Sequence, residues 1–492
     1  MLSRRNLFLS SLAAGSGLTV GTAAAQAATK ERTDAAETHD VVILGAGVGG
    51  LVCAIEAKAQ GLETVVLEKM ECPSGNSLYA SGGIAACETE QQKAEGHDEP
   101  RGAFRADMMK ISSNRADPLL VDTYVAHIAE DIEWLKSLGV KFARISRKPW
   151  PINWRMHNVE GEGLTGGARL VRTLETVSRA RNIPLHFNTK GMTLLTDAAG
   201  RVSGVRCLTD RGWKSFFAKK GVVVATGGFS ANREMLCCYM GGALSRLVLR
   251  GSPYVNGENV KLTEPFGAML VHMDSFHCGP IVEETHVNPN YIIDAGQGIE
   301  IDVRGHRVID EVGTYTQKST AAATLTPENL MYHLIDSHWA RAEKAYQSFT
   351  HMHTYVAKAD SIGELAEQLK IERSVLEKLV AEYNERLKAG TLKEMTPPCS
   401  LPEPKPLDKA PFYAFPFQGG ITATFGGPKI NVKGQVMSYE RRPIKGLYAV
   451  GNAAGGLFYG NYIGGSQLGA ATVFGRLAAR TMAADKTQAL LD

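Results

Sequence analysis

The chain has 492 residues, 44% of them apolar and 21% charged, with a formal net charge of +3. That length accommodates two to four domains or one large discontinuous one, and the apolar content is that of an ordinary soluble globular protein. The near balance of charge offers no basic face for nucleic acid. Eight cysteines without a C-x-x-C or C-x-x-C-H spacing exclude a recognisable zinc knuckle, iron–sulfur cluster or c-type haem on this chain. No metal-ligand cluster stands out, and the adjacent Cys237 and Cys238 read as two small buried residues.

Residues 1–27 read as a leader. Ser3-Arg4-Arg5-Asn6-Leu7-Phe8-Leu9 is a twin-arginine start, followed by a modestly apolar run and the A-x-A cleavage pattern Ala25-Gln26-Ala27. The run is short and rich in glycine and serine, so no stable membrane span is expected. The expectation is twin-arginine export of the folded, cofactor-loaded protein to the periplasm.

After a polar linker, Thr29 to Thr38, comes the best-defined unit, Asp40 to Glu68. Val41-Val42-Ile43-Leu44 predicts a buried strand of a parallel sheet. Gly45, Gly47 and Gly50 follow in G-x-G-x-x-G spacing, with Ala46 and Gly49 between them, and then a helical apolar pattern through Leu51, Ile55 and Ala59. Gly61 ends that helix, Thr64 to Leu67 predicts the next strand, and Glu68 stands at its end with Lys69 beside it. Gly45 permits the tight turn, Gly47 lets a pyrophosphate approach the backbone, and Gly50 lets helix and strand pack closely. The phosphates would meet unpaired N–H groups and the positive helix end, and Glu68 would take a ribose diol. Alone, this unit allows NAD, NADP or FAD.

Further along, Cys72 to Ser77 (with Gly75, Asn76 and Ser77) and Ala80 to Ala85 (with Ser81, Gly82 and Gly83) are small-residue segments that let a flat ring and its phosphates lie against backbone. Pro118 to Leu138 predicts a helix with Asp117 as N-cap, and Gly163 to Ala180 a second, carrying Arg169 and Arg172. A pair of strands is expected near Leu185 and at Val202 to Leu208. The next marker is a buried strand, Gly221 to Val224, ending in Ala225-Thr226-Gly227-Gly228-Phe229; Glu258 then opens another helical stretch. From His277 to Thr422 the strand–glycine rhythm gives way to polar stretches, expected helices over Pro327 to Lys344 and Ser361 to Ala389, and a proline-rich loop, Pro397 to Pro411. This reads as an inserted domain. Glycine then returns in Phe425-Gly426-Gly427, in Gly446 to Asn452 (with Gly451), and in Gly455 to Leu468 (with Gly465, Ser466 and Leu468), before a last helix, Ala470 to Met482.

These markers, in order, resemble the flavoprotein family of fumarate reductases, succinate dehydrogenase flavoprotein subunits, 3-ketosteroid Δ1-dehydrogenases and tricarballylate dehydrogenases. The motifs are G-A-G-V-G-G…E, S-G-G-I-A-A, A-T-G-G-F, G-L-Y-A-V-G-N and Y-I-G-G-S-Q-L. The resemblance covers nearly all of the chain after residue 38. It implies an α/β fold: a Rossmann-like FAD-binding domain in two parts, 38–276 and 423–492, with an α+β capping domain, 277–422, inserted, and substrate held between them. Asn76-Ser77-Leu78-Tyr79-Ala80 lacks the histidine that links FAD covalently in succinate dehydrogenases, which implies non-covalent FAD. At the positions of the fumarate reductases' cationic dicarboxylate clamp this chain has Tyr315 and Tyr462; their histidines fall near Ala423 and near Gly279-Pro280, with His277 two residues earlier. The ketosteroid enzymes carry tyrosines at the positions resembling Tyr315 and Tyr462, although Ser466 stands where they have glycine.

The resemblance thus implies hydride exchange between the flavin and one carbon of an activated C–C bond, with a protein proton for its neighbour. Tyr315 is the expected acid, Tyr462 the expected hydrogen-bond donor to a substrate carbonyl, and His277 a further substrate contact. The expected activity is terminal reduction of an α,β-unsaturated acid or ketone rather than of fumarate. Electrons would come from a separate cytochrome c or FMN-carrying protein. The alternatives are a dehydrogenase of the ketosteroid or tricarballylate kind, and a flavin-binding electron-transfer protein without turnover. Arg304 and Arg341 are the cap arginines that could replace the missing clamp.

Overall fold

A computed structural model describes residues 35–491, apart from 150, 151, 295 and 327. The twin-arginine segment lies outside the described residues. Two sheets organise the rest. In the first, β1 (Ala35–Leu44) lies parallel to β2 (Thr64–Leu67), and β2 to β3 (Leu185–His186). On its other side β1 pairs in parallel with β6 (Gly212–Val224), and β6 with β14 (Pro443–Ala449), edged by β13 (Gln435–Met437). An antiparallel pair, β4 (Thr189–Thr196) and β5 (Val202–Thr209), branches from the first half of β6. The expected pair of strands near 185 and 202 is therefore joined by β4.

The central strands read as continuous apolar runs because both faces of the sheet are covered. Val41, Val42 and Ile43 are fully buried, as are Val222 to Val224, and each such side chain stabilises the fold by about 1.5–3 kcal/mol relative to exposure. Helix α1 (Val48–Ala59) packs on one face with Leu51 and Ile55 inward. Helix α2 (Pro118–Ser137) starts where its sequence signal stands: Asp117 accepts from the Leu119 N–H at 3.0 Å, with proline at the first helical position. Helix α3 (Gly166–Ala180) begins at an N-cap threonine, Thr165. Near the C-terminus, α9 (Ser466–Ala484) is tied to α1 and α2 by buried Arg476, which pairs with Glu56 at 3.0 Å and with Asp131. That three-helix tie fixes the direction in which the start of α9 points.

The second sheet is built on one long strand, β12 (Phe412–Thr424). Its first half pairs with β10 (Met331–Asp336) and β11 (Ala357–Ala359). Its second half pairs with β8 (Phe276–Ile281) and the short β7 (Val248–Leu249), while β9 (Ile299–Asp302) edges β10. Helices α5 (Tyr315–Leu325), α6 (Ala342–His351), α7 (Ile362–Leu369) and α8 (Arg373–Ala389) cover it. This sheet has its own core, with Ile299, Leu334, Leu365, Leu376 and Tyr383 buried together.

Two expectations are corrected. The helix expected over Pro327 to Lys344 is a strand, β10, followed by the helix α6. Met331 to Asp336 is a six-residue run, too short for periodicity to separate strand from helix, and pairing on both sides decides it. Cys237 and Cys238 are exposed rather than buried, on a short helix, Arg233–Met240. Among the described residues no helix is long and apolar enough to cross a membrane.

Candidate active site

A cavity of about 490 Å³ opens at the carboxyl ends of β1, β2 and β6 and runs to the second sheet, the place where open parallel sheets receive ligands. The first β–α–β unit lends it Gly45, Gly47, Gly49, Glu68 and Lys69; the following loop lends Gly75, Asn76, Ser77, Ser81, Gly82 and Gly83. From further along come Ala225, Thr226 and Gly227, then Glu258 on α4 (Glu258–Thr263), and finally Gly451, Asn452, Gly465 and Leu468. His277, Tyr315 and Tyr462 line the same cavity at its far end.

Three expected contacts sit behind the wall instead. Ala46 is fully buried and donates its N–H to Glu68 Oε2 at 2.9 Å. Gly50 faces β1, where a Cβ would run into the Gly45 carbonyl, so its job is close packing. Ser466 is buried and its hydroxyl donates to Ile463 O at 2.6 Å, closing its own turn; its neighbour Gln467 faces the cavity. Gly45 is required for two reasons: its φ is +111°, and a Cβ would lie 2.5 Å from Ala225 O.

The polar groups on this wall fit an FAD. Helices α1 and α9 both start without a side-chain cap and begin at cavity-lining residues, so their first-turn N–H groups suit a pyrophosphate and an electron-rich ring edge respectively. Glu68, 5% exposed, accepts from Met70 N and Ser74 Oγ on one oxygen and from Ala46 N on the other, which leaves the second oxygen room for a ribose hydroxyl. Glu258 is ion-paired with Lys69 at 2.7 Å. Burial pushes its carboxyl up, but Lys69 outweighs that and holds it below the usual range, hence ionised. Its Oε2, and Nε2 of Gln467, are buried without a hydrogen-bond partner, as expected of groups that await a ligand.

At the other end, three elements converge. His277 on β8 is 5% exposed, its Nε2 3.3 Å from the Tyr315 hydroxyl. Tyr315 is the first residue of α5, held by a capping box between Thr314 and Gln317. The ring of Tyr462 meets His277 edge-on at 4.8 Å, and its phenol is close enough to that of Tyr315 for each to act on the other's ionisation. Phe425 and Phe458 close the outer side of Tyr462 at 5.8 and 6.0 Å. Burial, with some help from the Arg250 charge, depresses His277 to about 3, so its imidazole is neutral at ordinary pH. Burial raises the Tyr315 phenol, while Arg250 pulls the other way; Tyr462 is raised further, by burial and then by Tyr315.

Arg250 itself escaped the sequence reading. It follows β7, lines the cavity and is a candidate functional residue. Its sequence signal is faint: a lone cation after the apolar Leu247-Val248-Leu249, ahead of Gly251-Ser252-Pro253. Arg304 is 62% exposed and paired with Asp302, and Arg341 is exposed; neither lines the cavity. Arg169 spends its guanidinium on the carbonyls of Val159 and Leu164, and Arg172 is exposed.

Comparison with known proteins bears on the family and the fold. The profile of the family described as FAD binding domain matches residues 40–468. The chain is 30% identical over 459 residues to an NADH:fumarate oxidoreductase of Klebsiella pneumoniae, covering 92% of this chain and 48% of that one. It therefore spans about half the length of that relative. It is 29% identical over 451 residues to a fumarate reductase (cytochrome) of Shewanella frigidimarina, covering 90% of this chain and 76% of the relative. The open conformation of a flavocytochrome c3 fumarate reductase superposes with a TM-score of 0.78 at 26% identity, over 91% of this chain and 79% of that one.

Proposed function

The chain belongs to the FAD binding domain family and is an FAD-dependent oxidoreductase of the kind that acts on C=C bonds, and from that premise we propose that it reduces an α,β-unsaturated acid or ketone other than fumarate. The observation that carries this reading is the cluster of Tyr315, Tyr462 and His277, two phenols and a neutral imidazole, of which the tyrosines stand where the resemblance puts the fumarate reductases' clamp arginines. A site without that clamp is a poor host for a dicarboxylate.

FAD, once bound and reduced by the electron donor, would supply a hydride to one alkene carbon and return to its oxidised form. The chain's own residues do the rest. Tyr462 donates a hydrogen bond to the substrate oxygen on which negative charge develops. Tyr315 gives its proton to the carbon next to the one that receives hydride, and the resulting phenolate, stabilised by the Arg250 charge, is reprotonated from water before the next turnover. His277 backs Tyr315 and, being neutral, adds no charge. The Phe425 and Phe458 rings keep water from the outer side of Tyr462.

The test uses photoreduced, anaerobic holoenzyme mixed with acrylate-like, cinnamate-like and enone compounds and with fumarate. Rapid flavin reoxidation by members of the first three groups, with fumarate slow, is the expected result. Reoxidation by fumarate alone, or bleaching of oxidised flavin by saturated ketones alone, would remove the reading.

Non-covalent FAD belongs to the same proposal, since among the described residues His277 is the histidine on the cavity wall. Acid precipitation should release all the flavin into the supernatant; yellow pellet would contradict it. Export to the periplasm rests on the sequence of residues 1–27, and supply of electrons by a separate c-type cytochrome or FMN carrier is argued from that location and from the cytochrome-linked relative. Replacing Arg4 and Arg5 by lysine should hold the protein in the cytoplasm on fractionation, and unaltered export would refute it.

A further inference from the structure

The catalytic reading uses Arg250 only as a charge beside Tyr315, yet the fold makes special room for it. Its backbone N–H donates to Ile421 O at 2.8 Å, which pins it against β12. Gly279 on β8 and Gly420 on β12 lie opposite each other in register. A Cβ on Gly279 would run into the guanidinium, and one on Gly420 would lie 2.6 Å from the arginine's Cγ. Two neighbouring strands are thus cleared of side chains along the path by which one arginine reaches the cavity.

Its charge is not cancelled by protein. The side-chain hydrogen bond it makes runs from Nη1 to Thr422 Oγ1, at 3.2 Å, and a guanidinium has five N–H donors. Among the described residues no carboxylate pairs with it. Lys69 and Lys190, the other cations on the wall, are both within 4.0 Å of Glu258 at the opposite end. On the same wall, His277 Nδ1 and Asn290 Oδ1 are buried without partners. Arg250 is partly buried and its remaining donors face the cavity, so an anion entering there meets a charge that no protein carboxylate has neutralised.

We infer that Arg250 is the carboxylate anchor of this site, so that its substrate is an α,β-unsaturated monocarboxylate held by one arginine. This rests on the alkene-reductase reading and chooses the acid over the ketone. The step balances. Hydride forms a C–H bond at the β-carbon, the π electrons move toward the carboxylate, and the Arg250 charge opposes the negative charge that accumulates there. The Tyr315 proton then forms the α-carbon C–H bond, and the saturated acid leaves. A dicarboxylate would bring a second charge, and among the described residues this end of the cavity has no second cation for it.

The experiment compares cinnamate and crotonate with their own amides and with fumarate, on holoenzyme of the wild type, Arg250→Met and Arg250→Lys. The wild type should favour each acid over its amide by about 100-fold in kcat/KM, and Arg250→Met should collapse that ratio toward one, through KM for the lost anchor and through kcat for the lost charge. Arg250→Lys should recover part of the preference, because it keeps the charge and loses the fork. A second arm titrates oxidised holoenzyme with 3-phenylpropionate and reads the flavin absorbance, which should shift for the wild type and not for Arg250→Met. If no alkene reoxidises the flavin, the reductase reading falls, while this second arm still judges the anchor. Equal use of acid and amide by the wild type would overturn it. So would an acid preference that survives in Arg250→Met, or loss of flavin from that variant with the acid-to-amide ratio intact.

Discussion

Tyr315→Phe should lower turnover by about 10²- to 10⁴-fold, the usual range for removing a positioned general acid, while the flavin remains bound. Three observations set this size. Tyr315 stands at the first position of α5, where the capping box fixes the backbone and hence the hydroxyl. It is the lining phenol whose hydroxyl lies within hydrogen-bond distance of His277. Neither neighbour replaces it, because His277 is depressed to about 3 and carries no spare proton, and Tyr462 is pushed well up by burial and by Tyr315 itself. Burial also raises Tyr315, so the phenol stays protonated through the neutral range and wild-type turnover should be flat there. Stopped-flow reoxidation of the reduced variant, together with its flavin content and its affinity for a saturated acid, checks the prediction. Slow reoxidation with full flavin and unchanged product affinity is expected; near-normal turnover would remove Tyr315 from the role of acid.

What the sequence made legible was local. The unit β1–α1–β2 could be read because turn, helix and ribose acid follow one another within thirty residues or so, a spacing that short-range physics dictates. The α2 start was legible for the same reason, since Asp117 and Pro118 announce it. The substrate end was half legible. Tyr315, Tyr462 and His277 came from matched motifs, but their meeting depends on β8, α5 and the loop before α9 being brought together. Arg250 was not legible, because the slot that makes it informative is a cross-strand pair of glycines, Gly279 and Gly420, visible only once β8 and β12 are in register. Ser466 was misplaced by one residue for a related reason: a helix start names the turn that faces a ligand, but the αL geometry of Gly465 decides that Gln467, not Ser466, looks into the cavity.

The largest stability effect is expected one turn along from the acid, at Lys318. The residue is 2% exposed, and its Nζ lies 2.8 Å from Glu300 Oε1 and donates to Ile293 O at 2.8 Å. Glu300 on β9 and His333 on β10 face each other across the sheet, 3.0 Å apart, and both are fully buried. Burial pushes the Glu300 carboxyl up, but Lys318 and then His333 outweigh it, and the net direction is down. Because the folded value is depressed, this group's contribution is complete above the ordinary carboxylate range and is lost as pH falls through the folded value. Lys318→Met strands that carboxylate without its cation and should cost about 3–5 kcal/mol, read as a lower urea midpoint for the second sheet and its helices. The lysine shares α5 with Tyr315, so turnover should fall with stability. Adding Glu300→Gln removes the stranded charge, and the double variant should regain most of the loss. A Lys318→Met protein as stable as the wild type would mean that Glu300 is neutral in the folded state and that α5 is held by its apolar contacts alone.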